Sequence, residues 1–328
     1  VRIAPRARVH WGGMEEHGAP RLVVIAGPTG VGKTAVAVAL ATRTPIEVIN
    51  ADSRQVYRGI DAATGKPTPE ERQAVVHHLI DVVEPDERYQ AARFRTDAAT
   101  LVEEIRGRGA LPVVVGGTGL YIRALIRGLD PAPPADPAFR QELTTLAARE
   151  GRTALHRRLA REAPAVARRL HPNDEGRGVR ALEIVRAGGA AFEPGRWWSE
   201  SGAYDVAYLG LTADRAALAR RLHARAAAFV AAGLQAEVQA LLARGYDPAL
   251  PSLSSIGYRQ FVRVAAGRLV PDQALGLMQR DTVRYAKRQW TWFAREPRIE
   301  WIDVDSAGGI EGVAEAIALR LKRGGFIE

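Results

Sequence analysis

A chain of 328 residues with 47% hydrophobic and 25% charged residues is long enough to bury a sizeable core and has an ordinary globular composition. It contains no cysteine, which excludes disulfides and thiolate metal sites and suits a reducing compartment, and no apolar run is long enough to span a bilayer as a helix. The net charge of +9 fits a polyanionic partner such as nucleic acid, or equally an alanine-, glycine- and arginine-rich composition with no such partner.

The first nineteen residues, VRIAPRARVHWGGMEEHGA, lack the apolar stretch of a secretory signal. They are expected to form a disordered extension outside the fold, with Met14 a candidate initiator. The run Leu22-Val23-Val24-Ile25-Ala26 predicts a strand. The Ala/Val-rich segment 35–41 predicts a helix, and GPTGVGKT (27–34) lies between them. In that strand–loop–helix setting, Gly27, Gly32, Lys33 and Thr34 form a P-loop. Glycines allow backbone N–H groups to face phosphate oxygens, the helix N-terminus adds its positive end, Lys33 a cation and Thr34 a hydroxyl suited to Mg²⁺. The pattern specifies a phosphate but not which phosphate compound.

A second predicted strand, Ile46–Ile49, leads into Asp52-Ser53-Arg54-Gln55. In an open parallel sheet, ligands bind at the C-terminal strand ends. Asp52 is thus placed to act as a general base or a metal ligand, or to cap the following turn through its side chain. A third strand, Pro112–Val115, runs into Gly116-Gly117-Thr118-Gly119 without the acidic residue that often follows such a strand in P-loop NTPases.

The segment 129–202 differs in character. It opens on the proline-rich DPAPPADP (130–137), ends near AGGAAFEPG (187–195), and carries arginine-rich helical patterns between them. Beyond it come strands at Val206–Leu211 and near Ile299–Val304, with helices at 213–232, 234–244 and 271–294. The predicted fold is α/β: a P-loop NTPase-like parallel-sheet core (20–128 and 203–328) with an all-α insertion (129–202). Arg280, Arg284 and Arg288 recur every four residues and would line one helical face. Trp290, Trp292 and Phe293, at helical spacing, read chiefly as core residues that could also stack on bases.

Several segments in order carry a more specific signal: GPTGVGKT, ADSRQVYRGIDAATGKPT (51–68), HHLID (77–81), VVVGGTGLYIRAL (113–125), LHPNDEGRGVRALE (170–183), GYRQ (257–260) and YAKRQWTWF (285–293). Together they resemble the tRNA dimethylallyltransferases, also called tRNA isopentenyltransferases, of the bacterial type, from about residue 20 to 325. The resemblance implies that Gly27, Pro28, Thr29, Gly30, Val31, Gly32, Lys33 and Thr34 hold the diphosphate of dimethylallyl diphosphate. The prenyl group would pass to N6 of the adenosine immediately 3′ of the anticodon, in tRNAs reading codons that begin with U. It further implies a catalytic Asp52 that hydrogen-bonds the adenine amine and takes its proton, Thr34 as Mg²⁺ ligand, Thr118 at the reaction channel and Arg225 on the pyrophosphate.

For the anticodon stem-loop it implies Asp52, Ser53, Arg54, Gln55, Thr118, Arg140, Gly176, Arg177, Gly178, Val179, Arg180, Arg259, Lys287, Arg288 and Gln289. Gly30 and Arg54 depart from the commoner alanine and methionine of the family, and Ala294 stands where arginine is frequent. A monomeric cytoplasmic enzyme with Mg²⁺ and no membrane contact is expected. The alternatives are an adenylate isopentenyltransferase acting on free AMP, ADP or ATP, which is usually shorter and lacks the insertion, and a P-loop kinase, which gives the later motifs no role.

Overall fold

The computed structural model describes residues 19–129, 133–188 and 202–328. The N-terminal extension, the start of DPAPPADP and most of AGGAAFEPG lie outside these residues. The chain divides into two compact units, one built from 19–126 and 202–328 and the other from within 127–201.

The larger unit is a six-stranded, all-parallel sheet. Its strands are β1 (Arg21–Ala26), β2 (Ile46–Asn50), β3 (His77–His78), β4 (Leu111–Gly116), β5 (Asp205–Thr212) and β6 (Glu300–Asp303), in the order β3-β2-β4-β1-β5-β6. A parallel sheet covered on both faces needs strands that are apolar throughout, and β1 and β4 are buried or nearly so along their length. Alternation divides their side chains between two cores. Leu22, Val24 and Val114 enter one; Val23, Ile25 and Val113 enter the other.

The helices of the larger unit are α1 (Lys33–Ala41), α2 (Pro69–Ala74), α3 (Ala91–Gly107) and α4 (Gly119–Arg127) from its first half. The smaller unit supplies α5 (Pro137–Glu150), α6 (Ala154–Glu162), α7 (Pro164–Ala167) and α8 (Glu175–Arg186). The second half of the larger unit adds α9 (Arg215–Ala231), α10 (Leu234–Ala243), α11 (Tyr258–Ala265), α12 (Pro271–Phe293) and α13 (Gly309–Arg323). α1 and α13 cover one face of the sheet through Val36, Leu40, Val313 and Ile317. α3, α4, α10, α11 and α12 cover the other through residues such as Phe94, Ile122, Val238, Phe261 and Met278.

Connections from β1 run one way across the sheet, through β2 and β3; those from β4 run the other way, through β5 and β6. The loops after the adjacent parallel strands β2, β4 and β1 therefore leave the sheet together at its carboxyl end, the position where α/β folds bind ligands.

The smaller unit is all α and has its own core of Phe139, Leu143, Leu155, Leu159, Val166 and Leu182. Inside it, the Glu183 side chain is 1% exposed. Burial alone would raise its pKa, but bonds from Arg140, the Asp136 N–H and Arg180 outweigh that and hold it below the usual range. Among the described residues, no single helix is long and apolar enough to cross a membrane.

Strand β3 has only two residues and escapes a search for apolar runs. It is pinned by Glu47 on β2, whose carboxylate meets His78 Nε2 at 2.6 Å and accepts bonds from Arg108 Nε and Nη2 at 2.9 and 2.8 Å. The Arg108 bonds, with His78 assisting against the cost of burial, hold Glu47 down at about 2 rather than 4.5. A depressed carboxylate stabilises the fold above its unfolded pKa and loses that contribution as the pH falls through its folded value. Chemical denaturation of the Glu47→Gln variant should therefore show lower stability at neutral pH. It should also show a flatter decline than the parent between pH 4.5 and pH 2.

Candidate active site

Helix α1 starts at Lys33 directly after the P-loop. Its N-cap, Gly32, is left-handed (φ 102°), makes no side-chain cap, and no acidic residue follows in the first turn. The first-turn N–H groups thus have no side-chain acceptor, and the positive end of the helix favours an anion there. Lys33 Nζ donates to the Gly27 and Pro28 carbonyls at 3.1 and 2.8 Å. Burial pulls this ammonium down from 10.5 to about 8; Asp52 opposes the shift and Arg225 adds to it.

Asp52 follows β2. The Ala51 N–H bonds to Val115 O at 2.8 Å and the Thr118 N–H to Ala51 O at 3.1 Å, so the β2 and β4 strand ends run side by side into their loops. The Ser53 N–H donates to Thr118 Oγ1 at 3.0 Å, and the Arg54 N–H to Asp52 Oδ1 at 2.8 Å. Asp52 caps its own turn through Oδ1, and a carboxylate so held keeps acceptor capacity on Oδ2. Thr118 likewise stabilises the turn beside the carboxylate. Tyr285 of α12 joins them. Burial, with the Asp52 charge adding, pushes its hydroxyl up to about 12; Arg54, Arg288 and a hydrogen bond with Thr118 work the other way.

Arg225 comes in from α9. Burial lowers its pKa, while Asp52 and then Glu71 hold the charge in place. Its Nη1 lies 3.5 Å from Thr29 Oγ1 and its guanidinium 4.9 Å from the centre of the Phe229 ring. The guanidinium rests on Gly65, where a Cβ would fall 1.6 Å from Nη2. Gln55 Nε2 fixes that support by donating to the Thr64 and Gly65 carbonyls at 3.1 and 2.8 Å. The P-loop, Asp52, Thr118 and Arg225, from separate segments of the chain, thus share the carboxyl end of the sheet.

The residues expected to touch RNA divide into two groups. Lys287 and Arg288 are exposed on α12 and line a cleft of about 400 Å³ with Arg284, Thr291, Trp292 and Arg295. In the smaller unit, Gly176 and Arg177 are exposed at the start of α8. Others are engaged within the protein. Arg259 is paired with Asp281 at 2.6 Å, and Asp281 also holds Arg280, the first member of the expected basic stripe. The Arg54 guanidinium donates to Pro251 O at 2.6 Å. Arg140 grips Glu183 at 2.7 and 2.9 Å, Arg180 bonds both Glu183 and Pro133 O, Gly178 packs near Leu155, and Val179 packs on the helical core.

Gln289, grouped by sequence with the RNA contacts, is turned inward and only 5% exposed. Phe293 is fully buried, and Trp290 donates from Nε1 to Thr212 Oγ1 at 3.2 Å, as residues of the core would. Three residues at the site carried no separate sequence signal. Tyr285 and Gly65 stand inside quoted motifs, and Arg295 stands next to the Ala294 departure.

Among the described residues, no group of three or more His, Cys, Asp or Glu could cage a metal. The single hydroxyl of Thr34, on the first turn of an uncapped helix, fits Mg²⁺, which commonly takes one or two protein ligands and completes its shell with substrate phosphates and water.

A family model described as IPP transferase matches residues 55–296, and one described as Isopentenyl transferase matches residues 20–83. The chain belongs to the IPP transferase family. It is 47% identical over 287 residues to tRNA dimethylallyltransferase 2 of Geotalea uraniireducens, spanning 86% of this chain and 92% of that one. The tRNA isopentenylpyrophosphate transferase of Bacillus halodurans shares its fold with a TM-score of 0.69 at 38% identity, over 93% of this chain and 97% of that one. A eukaryotic dimethylallyltransferase, solved in snapshots acting on tRNA, gives a TM-score of 0.69 at 25% identity over 87% and 74% of the two chains. The P-loop α/β core expected from the sequence is the fold of the IPP transferases.

Gly65→Ala places a methyl group where the Arg225 guanidinium lies and requires φ near +60° of a non-glycine residue. This variant should raise KM for the diphosphate substrate by about ten- to hundred-fold, the range for loss of a charged hydrogen bond. Steady-state kinetics beside Arg225→Ala checks this, and the double variant should be little worse than either alone.

Proposed function

We propose that this protein transfers the dimethylallyl group of dimethylallyl diphosphate to N6 of the adenosine immediately 3′ of the anticodon in tRNAs reading codons that begin with U, releasing pyrophosphate in the cytoplasm. The observation that carries this reading is one carboxylate, Asp52, acting electrostatically on two partly buried cations, Lys33 and Arg225, beside an uncapped helix N-terminus. Such a set suits a reaction in which a proton leaves one reactant while a pyrophosphate anion leaves the other.

The adenine amine is a weak nucleophile because its lone pair is delocalised into the ring. Orientation and proton removal are what a protein can add. The N6–C1 bond forms as the C1–O bond breaks, the bonding pair departs on pyrophosphate, and the N6 proton goes to the Asp52 carboxylate. Thr118 and the Arg54 N–H hold the Asp52 turn, so the carboxylate need not reorganise. Lys33, Arg225 and the α1 N–H groups meet the growing negative charge. Mg²⁺, held by Thr34 and the diphosphate, would supply further neutralisation. Lys287 and Arg288 on α12, with Gly176 and Arg177 on α8, are the exposed candidates for the anticodon stem-loop, where phosphate contacts set position rather than sequence. The target adenosine would reach Asp52 by leaving its stack.

The test is transfer of label from dimethylallyl diphosphate, with Mg²⁺, to an unmodified anticodon stem-loop and to free AMP in parallel. Label on AMP alone would sink the tRNA reading. Asp52→Ala should lower turnover by about 10²- to 10⁴-fold, while stem-loop affinity in a filter-binding assay stays within about two-fold, since one unpaired contact is a small part of a phosphate-dominated interface. Lys33 is charged below its pKa of about 8 and neutral above it. Titration of dimethylallyl diphosphate without RNA should accordingly show affinity falling as the pH rises through 8, and Lys33→Met should be weak and nearly pH-independent over the same range.

A further inference from the structure

Helix α12 does two things within three consecutive residues. Lys287 and Arg288 face outward, whereas the Gln289 side chain points into the protein and joins two loops at the carboxyl end of the sheet. Its Oε1 accepts the Thr29 N–H of the P-loop at 2.8 Å, and its Nε2 donates to Gly117 O, after β4, at 2.9 Å. Thr29 N–H can only donate and Gly117 C=O can only accept, so the two bonds dictate which way the amide faces. The fit is close: a Cβ on Gly117 would lie 2.1 Å from Gln289 Nε2. Thr29 is held from its other side too, where its hydroxyl meets Arg225 at 3.5 Å.

We infer that Gln289 is a positioning residue for the diphosphate loop, tying the Thr29 amide to the Gly117 carbonyl, and not a contact to the RNA. A buried amide with both ends committed to backbone groups has little left to offer a base or a phosphate. Removing it would leave the part-buried Thr29 N–H and the buried Gly117 C=O without this partner and free the P-loop to move relative to the loop that carries Thr118. The site geometry in turn depends on that spacing: Lys33 acts from the P-loop, and Asp52 is braced through Thr118. The inference rests on the reading above only in that the P-loop binds a diphosphate.

Three variants separate the possibilities: Gln289→Leu, which removes both bonds; Gln289→Glu, which keeps an acceptor for Thr29 but sets a carboxylate oxygen against the Gly117 carbonyl; and Lys287→Ala, on the outer face. The measurements are binding of inorganic pyrophosphate with Mg²⁺ by calorimetry, KM for dimethylallyl diphosphate, and stem-loop affinity by filter binding. Both Gln289 variants should weaken pyrophosphate and raise KM by about ten-fold, the scale of one or two buried hydrogen bonds, with Gln289→Leu the worse. Their stem-loop affinity should stay within about two-fold of the parent, which also reports that they are folded. Lys287→Ala should do the reverse.

Loss of stem-loop affinity in Gln289→Glu with unchanged pyrophosphate binding would overturn the inference, as would equal loss of both or no change in either. Pyrophosphate binding needs no prenyl transfer. A parent protein that binds pyrophosphate but labels no stem-loop would therefore count against the proposed reaction while leaving this test intact.

Discussion

The site depends on an electrostatic constraint: one carboxylate and two cations share the partly buried carboxyl end of a parallel sheet. Lys33 is pulled down to about 8 by burial and is kept charged in part by Asp52. Arg225 is likewise shifted by burial and supported by the same carboxylate. Taking charges out of water is costly unless they are paired. An excess of positive charge beside a helix N-terminus is therefore poised to be relieved by an anion with several negative oxygens, and a diphosphate is such an anion.

Much of the surrounding structure serves to hold these three groups still. Thr118 braces the Asp52 turn, Gly65 and Gln55 seat the Arg225 guanidinium, and Gln289 links the P-loop to the β4 loop. The bracing residues come from β-strand loops and from α12, while the cations come from α1 and α9. Pre-positioned charge of this sort stabilises a transition state without reorganisation during the reaction. Helix α12 also carries exposed Lys287 and Arg288, so one rigid element offers a basic face to solvent and a brace to the chemistry.

Sequence patterns located the P-loop, the Asp52 strand end and most of the sheet because their signals are local. Strand β1 is an uninterrupted apolar run, and the glycine spacing of 27–34 has a backbone reason. Strand β3 was not legible, since two residues held by a cross-strand carboxylate leave no periodic trace. The polar residues near the site were harder to place. Gln289 and Lys287 belong to the same short motif, yet one is buried and the other exposed, a difference set by what α12 packs against. Arg140 and Arg180 read as nucleic-acid contacts by motif, while in the helical unit both hold the buried Glu183.

By itself, then, the sequence determined the class of fold, the presence of a phosphate-binding loop and the family, since each rests on residue types at short, fixed spacings. Only the tertiary structure decided which polar side chains face solvent and which are used as internal ties. It also showed that Asp52, Lys33 and Arg225, on three different elements, share one electrostatic environment. The reason is physical: a side chain's role as contact or brace depends on its burial and its partners, and both come from segments hundreds of residues away in the chain.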